Sequence, residues 1–159
     1  GYLNYDGLFK GEISSNAPCR GQKTDVWEGG HRVPAIAWWP GRIAPGAVSH
    51  ETAITMDILP TCATLASIPA PPNLDGTTLV PHLFEGKGLP ERDLFWRIDD
   101  AKAVRRGPWK LIAEGDQVFL FNLETDIGER EDISARHPEV VKQLLASLQA
   151  WERDVDSPT

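Results

Sequence analysis

The sequence is poor in cysteine and has no long apolar run. Its 159 residues include two cysteines, Cys19 and Cys62, with neither a Cys-x-x-Cys pair nor a cysteine and histidine spacing typical of zinc sites. We therefore expect free thiols rather than a disulfide. No apolar run approaches the roughly 18 residues that a transmembrane helix needs, so we expect no membrane span.

Positive charge is also scarce. Sixteen Lys and Arg residues stand against 23 Asp and Glu, for a net charge of −7. This excludes a general nucleic-acid-binding surface, because phosphate neutralisation needs a basic patch. The exception is residues 20–34, RGQKTDVWEGGHRVP, where one lysine, two arginines and one histidine lie among glycines. An anionic substrate would have to be met by such a local cluster.

The composition, 41% hydrophobic and 25% charged, is that of a folded domain. Residues 1–31 are rich in glycine and indicate a long loop, which usually builds a site or packs on another part of the protein. The apolar run Val33–Trp39 predicts a strand buried on both faces of a parallel sheet. A helix should begin near Asp57, with the carboxylate of Asp57 as its cap.

The pattern changes after residue 90. Short alternating runs separated by turn residues predict an antiparallel meander over 94–98, 101–105, 109–113 and 118–123. Pro138 then opens a helix with one apolar face that should pack on the meander, namely Val141, Leu144, Leu148, Trp151 and Val155. The sequence thus predicts an α/β protein in two parts. Residues 1–90 belong to a sheet-and-helix domain, and 91–159 form a small α+β unit of antiparallel sheet with one C-terminal helix.

Two further groups of residues indicate structure rather than chemistry. The charged segments Arg105-Arg106 and Glu129–Asp132 are expected to lie in solvent. Of the six tryptophans, four fit core positions at strand or helix spacing: Trp38, Trp39, Trp109 and Trp151.

The order of motifs resembles that of the formylglycine-dependent sulfatases of the alkaline-phosphatase superfamily. No single motif is decisive, but the series covers nearly the whole chain. Its members are Ser15-Asn16-Ala-Pro18, Lys23, Trp27-Glu-Gly-Gly-His-Arg-Val-Pro34, Trp39-Pro-Gly-Arg-Ile43, Asp57-Ile-Leu-Pro-Thr61, Asp75-Gly76, Val104-Arg-Arg-Gly107, Trp109-Lys-Leu-Ile112 and Phe121-Asn-Leu123. The resemblance implies that residues 1–90 are the end of an alkaline-phosphatase-like domain.

The same resemblance implies a sulfuric ester hydrolase acting on a sulfated carbohydrate or an aryl sulfate. In that family the nucleophile is a cysteine oxidised to formylglycine, and neighbouring carboxylates bind calcium. Neither motif is present here, because Cys19 is followed by Arg20-Gly-Gln-Lys23. We therefore expect the C-terminal portion of a sulfatase whose N-terminal part supplies both. By itself this portion should be inactive and bind no cofactor or metal. A periplasmic, extracellular or lysosomal compartment follows from the resemblance alone.

Lys23 is the candidate catalytic residue, because the family's lysine before Glu-Gly-Gly contacts the sulfate group. Cleavage of a sulfate ester builds negative charge on the leaving oxygen. A fixed ammonium aimed there stabilises the transition state more than the ground state. The alternative is an ordinary loop lysine in water.

His31 and Trp96 are the candidate substrate-binding residues. The imidazole of His31, beside an anion site, could hydrogen-bond a sulfate or a sugar hydroxyl. The alternative is a packed imidazole bonded to the backbone. Trp96, at a strand edge before the loop 99–102, would form the substrate rim. Glu28-Gly29-Gly30 is interpreted as scaffold, and Arg32 should pair with Glu28 or with an acid outside this chain.

Two other functions remain open. One is a phosphoesterase of the same superfamily, which would share the sheet and the metal chemistry. The other is a noncatalytic, sulfatase-like binding module. The cysteine motif upstream and a comparison of paired aryl sulfate and phosphate esters would distinguish these functions.

Overall fold

The computed structural model describes residues 15–157. They form two compact units, one of residues 15–33 with 92–157 and the other Pro34–Glu91. The helices are α1 (Glu28–His31), α2 (Ile58–Leu65), α3 (Val80–Glu85) and α4 (Pro138–Val155), with 3-10 turns at Thr55–Asp57 and Ser134–Arg136. The strands are β1 (Asp93–Ile98), β2 (Ala101–Arg106), β3 (Trp109–Glu114) and β4 (Gln117–Asn122).

In the first unit, the four strands form one antiparallel sheet in the order β1-β2-β3-β4. The predicted meander is confirmed, with each strand boundary within one residue of its predicted position. Two of the hairpin turns use Gly107 and Gly115, at φ +54° and +56°. Glycine is favoured there because it has no Cβ to clash in the left-handed region. The predicted domain boundary near residue 90 stays a prediction. Residues 15–33 belong to the same compact unit as the sheet.

The sheet is covered on both faces, because successive side chains of a strand point to opposite sides. Ala103 of β2 and Ile112 of β3 pack with Val26 and Trp27 of the preceding loop. Their sequence neighbours pack on the other face against α4, in a cluster of Val104, Leu111, Leu120, Leu144 and Leu148. The loop that carries the predicted site therefore forms one layer of this unit's core.

Helix α4 begins at Pro138 as predicted. Its residues Leu144 and Leu148 are buried, and Trp151 stacks on Phe95 with ring centroids 5.0 Å apart. The predicted apolar face is wrong at its far end, where Val155 is 45% exposed. That last turn is held at the sheet by an ion pair instead, with the Asp156 carboxylate 2.8 Å from the Arg97 guanidinium.

In the second unit, the predicted buried strand Val33–Trp39 is wrong. These residues have no regular secondary structure, and Ile36 and Trp38 are 92% and 82% exposed. The predicted core positions of Trp38 and Trp39 are wrong for the same reason. Within residues 15–157 no strand lies beside this segment, so its backbone has no hydrogen-bonding partner for a sheet.

Helix α2 forms where predicted, but Asp57 does not cap it. The Asp57 carboxylate accepts the N–H groups of Ile54 and Thr77, each at 2.9 Å. It thereby ties the start of the helix to the segment before α3. The buried residues of α2 are Pro60 and Thr61 rather than its large apolar side chains. Ile58, Leu59 and Leu65 are exposed.

Candidate functional site

Lys23 lies in a tight turn closed by two hydrogen bonds. The N–H of Asp25 donates to the carbonyl of Gln22 at 3.0 Å, and the N–H of Gln22 donates to the Asp25 carboxylate at 2.8 Å. Thr24 has φ +77°. That conformation at the third position of a β-turn favours glycine or asparagine and is strained for a β-branched residue. Lys23 precedes it, and its side chain is exposed.

Gly29 and Gly30 pack directly on this turn. A Cβ on Gly29 would lie 2.4 Å from the carbonyl oxygen of Gly21, and one on Gly30 would lie 2.0 Å from that of Asp25. The N–H of Gly29 also donates to the Arg20 carbonyl at 2.7 Å. The interpretation of the two glycines as scaffold is confirmed. Only a residue without a side chain permits this close backbone contact.

A buried ion cluster of Glu28, Lys110 and Glu129 lies beneath the loop. All three side chains are 0% exposed. The Lys110 ammonium lies 3.0 Å from the Glu28 carboxylate and 2.7 Å from Oε1 of Glu129. The contact with Glu129 is an ion pair without hydrogen-bond geometry. Oε2 of Glu129 accepts the N–H of Glu28 at 2.7 Å. The cluster thus joins β3 and the segment after β4 to the start of α1.

The expectation that Glu129 lies in solvent is therefore wrong. Its partner Glu28 is 101 residues away in sequence, so the local run of charges gave no sign of the contact. Burial raises the pKa of the Glu129 carboxyl, and the Lys110 ammonium opposes part of that rise. For Glu28, burial also raises the pKa, but the cations around it outweigh burial, and the pKa lies below its usual value.

Two arginines complete the charge balance around Glu28. The Arg32 guanidinium lies 3.1 Å from the second carboxylate oxygen of Glu28, which confirms the predicted pair. Arg105 lies 3.7 Å from the same oxygen and is largely buried. The expectation that Arg105 is solvated is therefore wrong. Glu28 is the centre of the network, which explains why its carboxyl stays ionised in the interior.

His31 is a packed residue in this network. Its Nε2 lies 3.2 Å from the Val26 carbonyl oxygen and 3.1 Å from Nζ of Lys110. Its ring stacks on Trp96 at a centroid distance of 4.2 Å, and the side chain is 16% exposed. Burial, followed by the Lys110 ammonium, lowers the pKa of His31 to about 4. The imidazole is therefore neutral at neutral pH.

The structure thus joins His31 to Trp96 and leaves Lys23 in a separate turn. Within residues 15–157, no hydrogen bond or ion pair connects Lys23 to either of them. The contacts of His31 match those of a packed imidazole bonded to backbone. The roles of Lys23, His31 and Trp96 toward a substrate stay predictions.

An open cleft of about 270 Å³ lies beside the Lys23 turn. Thr24, Asp25 and Trp27 form one wall, and the β1–β2 turn with Asp99 and Asp100 forms another. The carboxylates of the cleft disfavour anions, whereas the ammonium of Lys23 attracts them.

The described part of the chain does not fit the calcium and formylglycine chemistry that the resemblance implies. Across residues 15–157, no three His, Cys, Asp or Glu side chains are arranged to hold a metal ion. Cys19 and Cys62 are both free thiols, as expected. Burial raises the pKa of the Cys19 thiol, which makes it a poor nucleophile. In the same residues, no helix is long and apolar enough to cross a membrane.

The fold places the chain in the class of proteins with the alkaline-phosphatase-like fold. A solved structure described as Ps i-CgsB in complex with k-i-k-neocarrahexaose superposes with a TM-score of 0.80 at 27% identity, over 87% of this chain and 32% of that one. Residues 5–68 match the family model described as Sulfatase. The chain belongs to the sulfatase family, which confirms the resemblance seen in its motifs.

Named relatives agree with this family. Human arylsulfatase A is 44% identical over 169 residues, covering 85% of this chain and 33% of that protein. Mouse N-acetylgalactosamine-6-sulfatase is 39% identical over 101 residues, covering 62% of this chain and 19% of that protein. The chain therefore spans between about a fifth and a third of the length of these relatives.

Proposed function

We propose that this chain is the C-terminal part of a sulfuric ester hydrolase and that Lys23 contacts the sulfate group of its substrate. One observation carries the proposal. Lys23 is exposed, it lies in a turn that two hydrogen bonds between Gln22 and Asp25 close, and it falls within the segment matched by the sulfatase model. An ammonium held in one place can stabilise charge that develops on the leaving oxygen. The turn already fixes the backbone of Lys23, so only the side chain has to be ordered when substrate binds, which lowers the cost in entropy.

The nucleophile and the metal ligands are proposed to lie in the rest of the protein, because the motifs for them are absent from this sequence. By resemblance, a formylglycine and calcium would supply the nucleophilic chemistry there. The residues of this chain hold and orient the sulfate at its lysine end. A phosphoesterase of the same superfamily or a noncatalytic module would share this architecture, and the experiments below distinguish them.

The proposed substrate is a sulfated carbohydrate, with an aryl sulfate as the alternative. The structural neighbour was solved with neocarrahexaose, and one relative is named for N-acetylgalactosamine 6-sulfate. Trp96 is proposed to lie at the substrate rim. His31 covers one face of its ring, and we infer that the rest of the ring edge faces the sugar.

The second unit supports a partner within the same protein. Large apolar side chains are exposed on it, among them Ile36, Trp38, Val48, Ile58 and Ile68. Exposed apolar surface of this extent usually marks an interface. We infer that the N-terminal part of the same protein covers it. The compartment proposed by resemblance is lysosomal, extracellular or periplasmic.

The test is Lys23→Ala in the full-length protein, assayed on paired aryl sulfate and aryl phosphate esters. We expect turnover of the sulfate to fall by about 10²–10³ or more, the usual cost of removing one transition-state contact. The matched control is Lys142→Ala, which removes an exposed lysine from α4. The control should keep full turnover.

Each other outcome contradicts part of the proposal. Unchanged turnover in Lys23→Ala would remove Lys23 from the mechanism. A parent protein that prefers the phosphate ester would be a phosphoesterase. One that cleaves neither ester nor a sulfated oligosaccharide would be a binding module.

A further inference from the structure

We propose that Asp25 is a positioning residue for Lys23: its carboxylate closes the turn that sets the direction of the lysine side chain. The inference rests on the proposed function of Lys23 and adds a second residue to it. It concerns how the backbone that carries Lys23 is held before substrate arrives, which is a property of this chain alone.

The geometry of the turn is the first support. Gln22 and Asp25 are joined twice, once through the backbone at 3.0 Å and once through the Asp25 carboxylate at 2.8 Å. Lys23 and Thr24 are the two residues between them. Removing the carboxylate leaves one of the two bonds, so the peptide on either side of Lys23 gains freedom to rotate.

The strained backbone at Thr24 is the second support. A β-branched residue at φ +77° stays there only when its surroundings hold it. Loss of the Asp25 clamp would let Thr24 relax toward negative φ. Because the peptide bond between Lys23 and Thr24 would turn with it, the Lys23 side chain would point elsewhere.

The turn is also fixed to the sheet, which gives the clamp a rigid frame. Gly30 packs against the carbonyl of Asp25, and the N–H of Glu28 is held by Glu129 at 2.7 Å. Lys110 of β3 then pairs with Glu28. The contacts run without interruption from the sheet to the lysine turn.

Asp25 acts through Lys23 rather than on the substrate. A carboxylate at the sulfate would repel it, because like charges within a few ångströms disfavour binding. Its role is to accept a backbone N–H, which an uncharged amide oxygen in the same place can also do. Asp25→Asn therefore separates the hydrogen bond from the charge.

The experiment compares Lys23→Ala, Asp25→Ala, Asp25→Asn and the double variant Lys23→Ala/Asp25→Ala in the full-length protein. We expect Asp25→Ala to lower kcat by tenfold or more on the aryl sulfate, with KM changed less than threefold. A misplaced catalytic group costs turnover of this order. Asp25→Asn should recover most of the loss. In the double variant, Asp25→Ala should cost nothing beyond the effect of Lys23→Ala.

The matched control is Asp132→Ala. Asp132 also clamps backbone, accepting the N–H groups of Leu120 and Ser134, and within residues 15–157 its hydrogen bonds go to these two residues rather than to residues 20–31. It should leave kcat unchanged. Equal losses in Asp132→Ala and Asp25→Ala, additive losses in the double variant, or no recovery in Asp25→Asn would each overturn the proposal.

A further variant decides the matter if Asp25→Ala does not fold. Thr24→Gly relieves the strained backbone angle and favours the same turn, because glycine adopts φ +77° without a clash. Asp25→Ala is therefore made in the Thr24→Gly background, where it should lower kcat relative to Thr24→Gly alone because one of the two bonds that close the turn is lost. An unchanged kcat on adding Asp25→Ala would overturn the proposal. If Lys23→Ala itself leaves turnover unchanged, the proposed function fails, and that result differs from a failure of Asp25 alone.

Discussion

Lys110 and Glu28 form an ion pair with no exposed surface, at 3.0 Å between Nζ and Oε1. Taking two charges out of water is costly, so such pairs persist only when further contacts compensate. Here Lys110 also meets Glu129 and His31, while Glu28 also meets Arg32. The pair is thus the link between the sheet and the loop that bears Lys23.

Replacing Lys110 with methionine should destabilise the chain strongly. Lys110→Met would leave the buried Glu129 carboxylate without its cation and Glu28 with only the two arginines at its second oxygen, at a cost of about 3–5 kcal/mol. Equilibrium urea unfolding, followed by tryptophan fluorescence, measures the loss. The matched control is Lys102→Met, whose partly exposed pair with Glu152 should be worth at most about 1 kcal/mol.

A second variant separates charge from packing at the same place. Adding Glu28→Gln to Lys110→Met removes one of the stranded charges and should recover part of the lost stability. An equal loss in Lys110→Met and Lys102→Met would show that burial of the cluster contributes nothing. A double variant less stable than Lys110→Met would show that the unpaired carboxylate charge does not cause the loss of stability.

The sheet could be predicted from the sequence, and the ion cluster could not. Strands β1–β4 are short, alternate between apolar and polar residues, and are joined by two-residue turns, so the signal is local. The contact of Glu28 with Glu129 joins residues 101 positions apart, and nothing near either residue distinguishes it from a solvated acid. Only the fold reveals such partners.

The errors in the second unit have a related cause. The run Val33–Trp39 has the composition of a buried strand, but burial requires neighbours, and none of the described strands pairs with it. Asp57 has the position of a helix cap, yet Thr77, 20 residues later, supplies a competing donor. The role of Lys23 is predicted from the order of motifs alone, because an exposed lysine in a loop has no local signal of its own.

Protonation of His31 should destabilise the folded chain in mild acid. Its pKa falls from 6.5 to about 4 on folding, through burial and then Lys110. Glu28 and Arg105 also face the ring. Between these values the unfolded state binds more protons, so stability is lost as pH falls from 6.5 toward 4, by up to about 3 kcal/mol.

The measurement is the urea midpoint at steps between pH 7 and 4, for the wild type and His31→Gln. Glutamine cannot titrate, so His31→Gln should lose less stability across this window. The exposed His50 gives the matched control. His50→Gln should follow the wild type. If His31→Gln has the same pH profile as the wild type, the histidine does not set the acid sensitivity.

The contact between β1 and α4 should depend on Asp93. Its carboxylate lies 2.6 Å from the Arg106 guanidinium and accepts the hydroxyl of Ser147 on α4. Burial raises the pKa of Asp93, but these donors outweigh burial and hold it below its usual value. Ser147→Ala should therefore cost about 1 kcal/mol of unfolding free energy, the usual worth of one such bond.

Ser157→Ala, beyond the end of the helix, should cost almost nothing. Since the carboxylate must be ionised to act, the difference between the two variants should shrink as pH falls below 4. A difference that is constant across pH would show that Ser147 contributes through packing instead.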